Sequence, residues 1–103
     1  MHAMLITFRS TAELSDLKEP FDAYAKGLRA VDGLVCKTWL RDGQTLGGFH
    51  VFANRADAEQ YLGSEMVAGL TSTPAFSGFE IRHWDVLEEL SVINGTPQLA
   101  RTA

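Results

Sequence analysis

The sequence predicts an α+β fold: a ferredoxin-like βαββαβ sandwich in which two helices cover one face of a four-stranded antiparallel sheet. Three observations indicate it. Runs rich in β-branched and aromatic residues alternate with apolar stripes of helical spacing, an Asp-Gly turn separates the two central runs, and 103 residues suffice for one core. We expect residues 1–95 to form this single domain and residues 96–103 to form a flexible tail.

The first strand and the first helix are predicted from the N-terminal third. Residues 3–9 are rich in strand-forming side chains, and Ser10 stands three residues before Glu13, the spacing of a helix capping box. The helix that follows has apolar residues spaced by threes and fours: Leu14, Leu17, Phe21, Tyr24, Ala25, Leu28 and Val31. Pro20 interrupts this stripe, so either the regular helix begins near Asp16 or the helix kinks at the proline.

The remaining elements are a hairpin, a second helix and a last strand. Residues 33–41 and 46–54 are strand-like, and the turn at Asp42 and Gly43 between them predicts an antiparallel hairpin. Asn54 is expected to cap the second helix, whose inner stripe consists of Ala58, Tyr61, Leu62, Met66 and Leu70. Residues 78–87 predict the fourth strand.

The two faces of the sheet can be sorted by the alternation of side chains along each strand. One set of the hairpin is expected to pack against the helices: Cys36, Thr38, Phe49 and Val51. The other set joins Arg82 and Trp84 on the second face: Val35, Lys37, Trp39, Gly48, His50 and Phe52. This face is too apolar for water, which predicts a homodimer formed through it. The alternative is an ordinary open-faced sheet that tolerates two exposed tryptophans.

Charge and composition exclude two classes of partner. The net charge of −4 has no basic cluster to offset it, which disfavours nucleic acid. No apolar run approaches the roughly 20 residues that span a bilayer, and no secretory leader is visible, so we expect a cytoplasmic protein without membrane contact. Cys36 is the only cysteine and is expected to be an inert, buried residue.

Several stretches of the chain resemble a known family. They are Lys37-Thr38-Trp39, the segment from Gly47 to Phe52, residues 58–62, Asp85-Val86, and Leu90-Ser91-Val92-Ile93-Asn94. Over roughly residues 33–95 the chain resembles the small mono-oxygenases of the YdhR type, members of the dimeric α+β barrel superfamily. The resemblance implies a ferredoxin-like protomer, two of which pair sheet to sheet. It also implies cofactor-independent mono-oxygenase activity on a small aromatic or polyketide-like molecule.

The chain departs from this family pattern at two points. His50 stands where a tyrosine is expected in YdhR-type proteins. In addition, the asparagine, tryptophan and histidine set of the haem-degrading members of the superfamily is not found with the expected placement, which argues against haem cleavage. The alternative function is a non-catalytic dimeric protein that binds small ligands or serves in stress.

Candidate site residues follow from what such an oxygenase needs. It must supply a base, a dry pocket and groups that stabilise a substrate anion. His50 and His83 are the candidate bases, because imidazole titrates nearest neutral pH. Substrate-binding walls and donors are predicted at Tyr24, Trp39, Phe52 and Tyr61, although aromatic residues on inward-facing stripes usually serve in packing. No metal-ligand spacing and no glycine-rich nucleotide loop is present, so neither a metal nor a cofactor is expected.

Overall fold

A computed structural model describes residues 1–96 and has the predicted βαββαβ order, with a single antiparallel sheet of strand order β2-β3-β1-β4. The strands are β1 (His2–Ser10), β2 (Leu34–Asp42), β3 (Thr45–Phe52) and β4 (Phe76–Asp85). The helices are α1 (Lys18–Leu28), α2 (Arg55–Leu62), α3 (Glu65–Thr71) and α4 (Glu88–Ile93), with a 3₁₀ turn over Leu14–Leu17. The ferredoxin-like fold is confirmed. Of the predicted tail, residues 97–103 lie outside the described residues.

The start of α1 differs from its predicted start. Ser10 belongs to β1, and its Oγ accepts a hydrogen bond from the Ala12 N–H at 3.1 Å. Within residues 1–96 the Glu13 side chain makes no capping bond, so the predicted capping box does not form. The α-helix begins at Lys18, which leaves Pro20 in the first turn, where a missing N–H costs no helical hydrogen bond. The unkinked alternative is therefore the correct one.

The second helical stripe is divided into two helices. The Asn54 side chain caps α2 as predicted by accepting the Asp57 N–H at 2.8 Å. The helix stops at Gly63, and Ser64 donates its hydroxyl to the Tyr61 carbonyl oxygen at 2.6 Å. Glycine at this point removes the helical preference that would carry the chain through. The apolar spacing predicted the buried stripe but not this break.

The C-terminal helix α4 was not predicted. The fourth strand ends at Asp85 rather than at residue 87, and the Val86 N–H donates to the Met1 carbonyl oxygen at 3.2 Å. The N-terminal ammonium pairs with Glu88 Oε2 at 3.1 Å. These two contacts hold the start of α4 beside the first residue of the chain.

The assignment of the hairpin faces was wrong, because the two faces are interchanged. Phe52 is fully buried against Tyr61 and Ala58 of α2, and the His50 ring lies 5.6 Å from that of Tyr61. Trp39 packs on Phe21 of α1 at 5.0 Å between ring centroids. The helix-facing set is therefore Lys37, Trp39, Gly48, His50 and Phe52.

The opposite side of the sheet, called the open face from here on, carries Cys36, Thr38, Phe49 and Val51. Arg82 and Trp84 also lie on it, because Arg82 is aligned with Leu5 and Phe49, and Trp84 with Ala3 and Val51. They face away from the helices as predicted, but the hairpin set that shares this face with them is not the expected one. Val35 lies at a register shift between Leu34 and Cys36. Alternation fixes which residues share a face, but both sets are apolar, so it could not decide which set meets the helices.

The core consists of two apolar clusters under the helices. The larger unites Met4, Ile6, Leu28, Phe52, Ala58, Tyr61 and Val67, and the smaller unites Phe8, Leu17, Leu46 and Phe76.

Among the helices of the described residues, none is long and apolar enough to cross a membrane.

Replacing Asn54 by Ala should lower the free energy of unfolding by about 1 kcal/mol, because the Asp57 N–H loses its capping partner. Chemical denaturation measures the change. Asn54→Ser is the matched control, since serine restores a capping oxygen and should recover most of the stability. If serine and alanine destabilise the protein equally, the cap does not contribute as proposed.

Candidate functional site

A cleft of about 820 Å³ opens between the first helical segment and strands β2 and β3. Its volume falls in the range of small-molecule sites. The 3₁₀ turn and α1 form one wall, the hairpin forms the other, and α2 contributes Tyr61 at the inner end. The lining residues that carry its chemistry are Tyr24, Lys37, Trp39, Gly48, His50 and Tyr61.

Aromatic rings form the walls of this cleft. The Trp39 and Phe21 ring centroids lie 5.0 Å apart, and Tyr24 meets Trp39 edge to face at 6.1 Å. Trp39 is 39% exposed, so the packing does not use all of its surface. A planar ligand could stack there, since an aromatic face accepts another ring at similar separation.

Two tyrosine hydroxyls join the helices at the inner end of the cleft. Tyr24 on α1 and Tyr61 on α2 share a hydrogen bond of 2.5 Å between their hydroxyl oxygens. Burial, followed by this bond to Tyr24, raises the pKa of Tyr61, and burial also raises the pKa of Tyr24. Both hydroxyls are therefore protonated at neutral pH. One of the two hydroxyls donates its proton to the other hydroxyl oxygen. The second hydroxyl can donate its proton to a ligand.

His50 is a buried base without a complete set of partners. Its Nδ1 lies 3.1 Å from the Met4 carbonyl oxygen, which can only accept, so Nδ1 carries the proton and Nε2 holds the lone pair. The side chain is 1% exposed, and Nε2 has no hydrogen-bond partner among the described residues. Burial and the nearby charge of Lys37 lower the pKa of His50 to about 4. The imidazole is thus neutral at neutral pH and has an unused acceptor at Nε2.

Lys37 places the ammonium group of its side chain inside the cleft. Its Nζ lies 3.6 Å from the Trp39 ring centroid and 5.0 Å from that of Tyr24. A Cβ at Gly48 would stand 2.5 Å from Lys37 Cε and 3.0 Å from His50 Cε1. The lysine stem and the imidazole therefore share the space above this glycine. Burial lowers the pKa of Lys37 to about 8.

The structure brings together four of the six predicted site residues: Tyr24, Trp39, His50 and Tyr61. Phe52 lies beneath them, fully buried, with its ring stacked 6.2 Å from that of His50. His83 also lies on the helix-facing side of the sheet, but on the edge strand β4, two strands away from His50, and its Nδ1 is 2.7 Å from His2 Nε2.

His2 is not a loose terminal residue: it belongs to β1 and is 3% exposed. Burial, followed by the neighbouring His83 and Arg55, lowers its pKa. Within residues 1–96 no group of three or more His, Cys, Asp or Glu side chains could hold a metal ion.

Sequence reasoning missed the roles of Lys37 and Gly48. Lys37 was expected on the sheet face of the predicted dimer, because the interchanged face assignment placed it there. The signal that could have found the site is the pair Gly47-Gly48 in an otherwise bulky strand, since an interior glycine often marks close approach of another group.

The comparisons with known proteins identify a family and a fold. The family model described as "Putative mono-oxygenase ydhR" matches residues 4–97. No curated protein matches the chain. SnoaB, a cofactor-independent oxygenase from Streptomyces nogalater, superposes with a TM-score of 0.67 at 16% identity, covering 82% of this chain and 91% of SnoaB.

Two further solved structures are similar. The NE2512 protein of unknown function from Nitrosomonas europaea gives a TM-score of 0.59 at 24% identity, covering 84% of this chain and 91% of its own. A variant of MhuD with two manganese protoporphyrin IX molecules per active site gives 0.67 at 12% identity, covering 84% and 95%. At these identities the likeness concerns the fold.

The buried neutral His50 predicts a loss of stability in acid. Between its ordinary value of 6.5 and about 4, the unfolded chain binds a proton at this residue that the folded chain does not bind. The free energy of unfolding should therefore fall on acidification through this window, by up to about 1.4 kcal/mol per pH unit from this group. His50→Gln removes the contribution, so the stability difference between wild type and variant should shrink from pH 7 to pH 4. Denaturation curves that keep this difference constant would contradict a buried neutral imidazole.

Proposed function

This chain belongs to the ydhR mono-oxygenase family, and we propose that it oxygenates a small aromatic or polyketide-like molecule in the cleft without a cofactor. The observation that carries the proposal is the buried lone pair of His50 Nε2, which has no partner among residues 1–96. A buried acceptor without a partner is costly unless a ligand supplies the donor. The fold shared with SnoaB, itself a cofactor-independent oxygenase, supports the same reaction class.

The reaction requires a substrate that becomes electron-rich when it loses a proton. His50 Nε2 takes that proton, and the resulting anion transfers one electron to dioxygen. Recombination of the substrate radical with superoxide forms a carbon-bound peroxide anion, which takes the proton back from His50 and becomes a hydroperoxide. When the oxidised carbon is a methylene, loss of water leaves a ketone, so one oxygen atom enters the product and the other leaves as water.

The remaining cleft residues position this substrate and exclude water. Trp39 stacks on the ring, and the Tyr24–Tyr61 pair donates its free proton to a substrate oxygen. Because His50 is nearly inaccessible, the ligand reaches Nε2 when the flexible Lys37 stem above Gly48 turns aside. Haem is not proposed as a ligand, because the asparagine, tryptophan and histidine set of the haem-degrading proteins is not found with the expected placement.

Oxygen uptake tests the proposal. We expect oxygen-dependent product from at least one member of a panel of hydroquinones, dihydroxynaphthalenes and anthrones, with a single ¹⁸O atom incorporated from labelled dioxygen. His50→Gln should lower kcat by about a hundredfold or more, because a general base is lost. His83→Gln is the matched control and should stay within a few-fold of wild type, since His83 lies outside the cleft.

Other outcomes separate the alternatives. Ligand binding without turnover by any panel member would identify a binding protein instead. Product formation that does not consume dioxygen would indicate an isomerase or lyase. An equal loss of activity in both histidine variants would contradict the role assigned to His50.

We further propose that the protein is a homodimer formed through the open face. That face carries Phe49 at 39% and Trp84 at 47% exposure, with Leu40 at 41% beside them. Apolar patches of this kind usually mark interfaces. The corrected face assignment leaves the cleft on the other side of the sheet, so pairing would not close it.

Phe49→Asp should convert the dimer to a monomer of 11.3 kDa, because the charge would be buried at the interface. Analytical ultracentrifugation at micromolar concentration measures this. Ile81→Asp is the control: Ile81 is 45% exposed, but its alignment with Ile6 places it on the helix side, so the dimer should persist. A wild-type monomer would refute the proposed pairing.

A further inference from the structure

We propose that Lys37 selects the ligand, with its ammonium receiving one anionic oxygen of a polyhydroxylated aromatic while His50 Nε2 accepts the hydroxyl proton of an adjacent oxygen. The inference deepens the proposed function and rests on it for the site and the aromatic ligand. It adds the charge of the ligand and the arrangement of its oxygens.

The ammonium of Lys37 has no counter-ion within the described residues. The ion pairs there are Met1 with Glu88, Asp22 with Lys26, and Arg55 with Glu59. The Trp39 and Tyr24 rings face the Lys37 charge at 3.6 and 5.0 Å but do not neutralise it. An unpaired charge in an apolar cleft is stabilised by an arriving anion.

The neighbouring His50 decides which kind of anion fits. Its Nε2 offers only a lone pair, because Nδ1 is committed to the Met4 carbonyl oxygen. A carboxylate would bring acceptor oxygens to both positions and would meet that lone pair unfavourably. A ligand with one ionised oxygen and one hydroxyl on adjacent carbons satisfies the cation and the acceptor together.

Gly48 creates the space in which these two groups meet. The position of a Cβ at Gly48 is 3.4 Å from Lys37 Nζ and 3.0 Å from His50 Cε1. The ammonium and the imidazole are therefore close enough to engage adjacent oxygens of one ring. The charges at the rim, Lys18, Asp22 and Arg41, are exposed, so water screens them far more than Lys37.

The probe is 4-nitrocatechol, which carries two adjacent hydroxyls and changes colour on ionisation. Spectrophotometric titration of the bound probe should give a first pKa about one unit or more below that of the free compound, because the ammonium favours the anion. The probe should also bind about tenfold more tightly than 4-nitrophenol or 4-nitrobenzoate. No turnover is needed, so the result is independent of oxygenase activity.

Two variants and two controls make the test specific. Lys37→Met removes the charge, and Gly48→Ala keeps it but fills the space beside Lys37 Cε, so both should abolish the pKa shift. Lys26→Met removes an exposed lysine outside the cleft, and Gly69→Ala adds a Cβ with nothing within 4 Å, so both should retain the shift.

Three results would overturn the inference: failure of 4-nitrocatechol to bind at millimolar concentration, an unchanged shift in folded Lys37→Met, or binding of 4-nitrobenzoate as tight as that of the catechol. If the shift and its loss occur as expected but no panel substrate consumes oxygen, the recognition stands and the proposed reaction fails.

Discussion

The hydrogen bond from His50 Nδ1 to the Met4 carbonyl oxygen is the constraint on which the site depends. It joins the two central strands and at the same time fixes the tautomer of a buried imidazole. A carbonyl oxygen has no proton to give, so the lone pair must lie on Nε2. Burial then keeps the ring neutral, because an imidazolium would lose its hydration without a compensating carboxylate. One contact therefore links the pairing of these two strands to the acid–base state of the imidazole.

The helices complete the site by supplying what the sheet lacks. Strands β2 and β3 contribute a cation, an indole and an imidazole, all on the helix-facing side. The helices contribute two phenol hydroxyls that bond to each other across the gap between α1 and α2. The same bond packs the elements together and holds a proton at the inner end of the cleft. The Tyr24–Tyr61 bond therefore serves both the packing of the helices and the proton donation in the cleft.

The fold could be predicted from local signals alone. The Asp-Gly turn, the Asn54 cap and the helical stripes each rest on a few adjacent residues, and the structure has all three. The face of the hairpin could not be predicted, because it depends on how Phe52 and Trp39 meet helices that are distant in sequence. The helix α4 could not be predicted either, because its start depends on a tertiary contact, the bond between Val86 and Met1.

The sequence predicted which residues line the candidate site more successfully than it predicted how they are arranged. Tyr24, Trp39, His50 and Tyr61 were named because their side chains suit aromatic binding and proton transfer, and they do line one cleft. His83 has the same chemistry as His50 but lies beside His2, a placement that no spacing in the sequence reveals. Lys37 was missed because the hairpin face that carries it was predicted to meet a second protomer, whereas the lysine stem lies over Gly48 on the helix side.

Because Gly48 has no side chain, the residues allowed at position 48 depend on the residue at position 37. Any residue other than glycine there competes with the Lys37 stem for the same volume, and a shorter residue at position 37 would release that volume. A substitution at either position is therefore constrained by the residue at the other. Among related sequences the two should covary, with glycine at position 48 wherever a long basic residue stands at position 37.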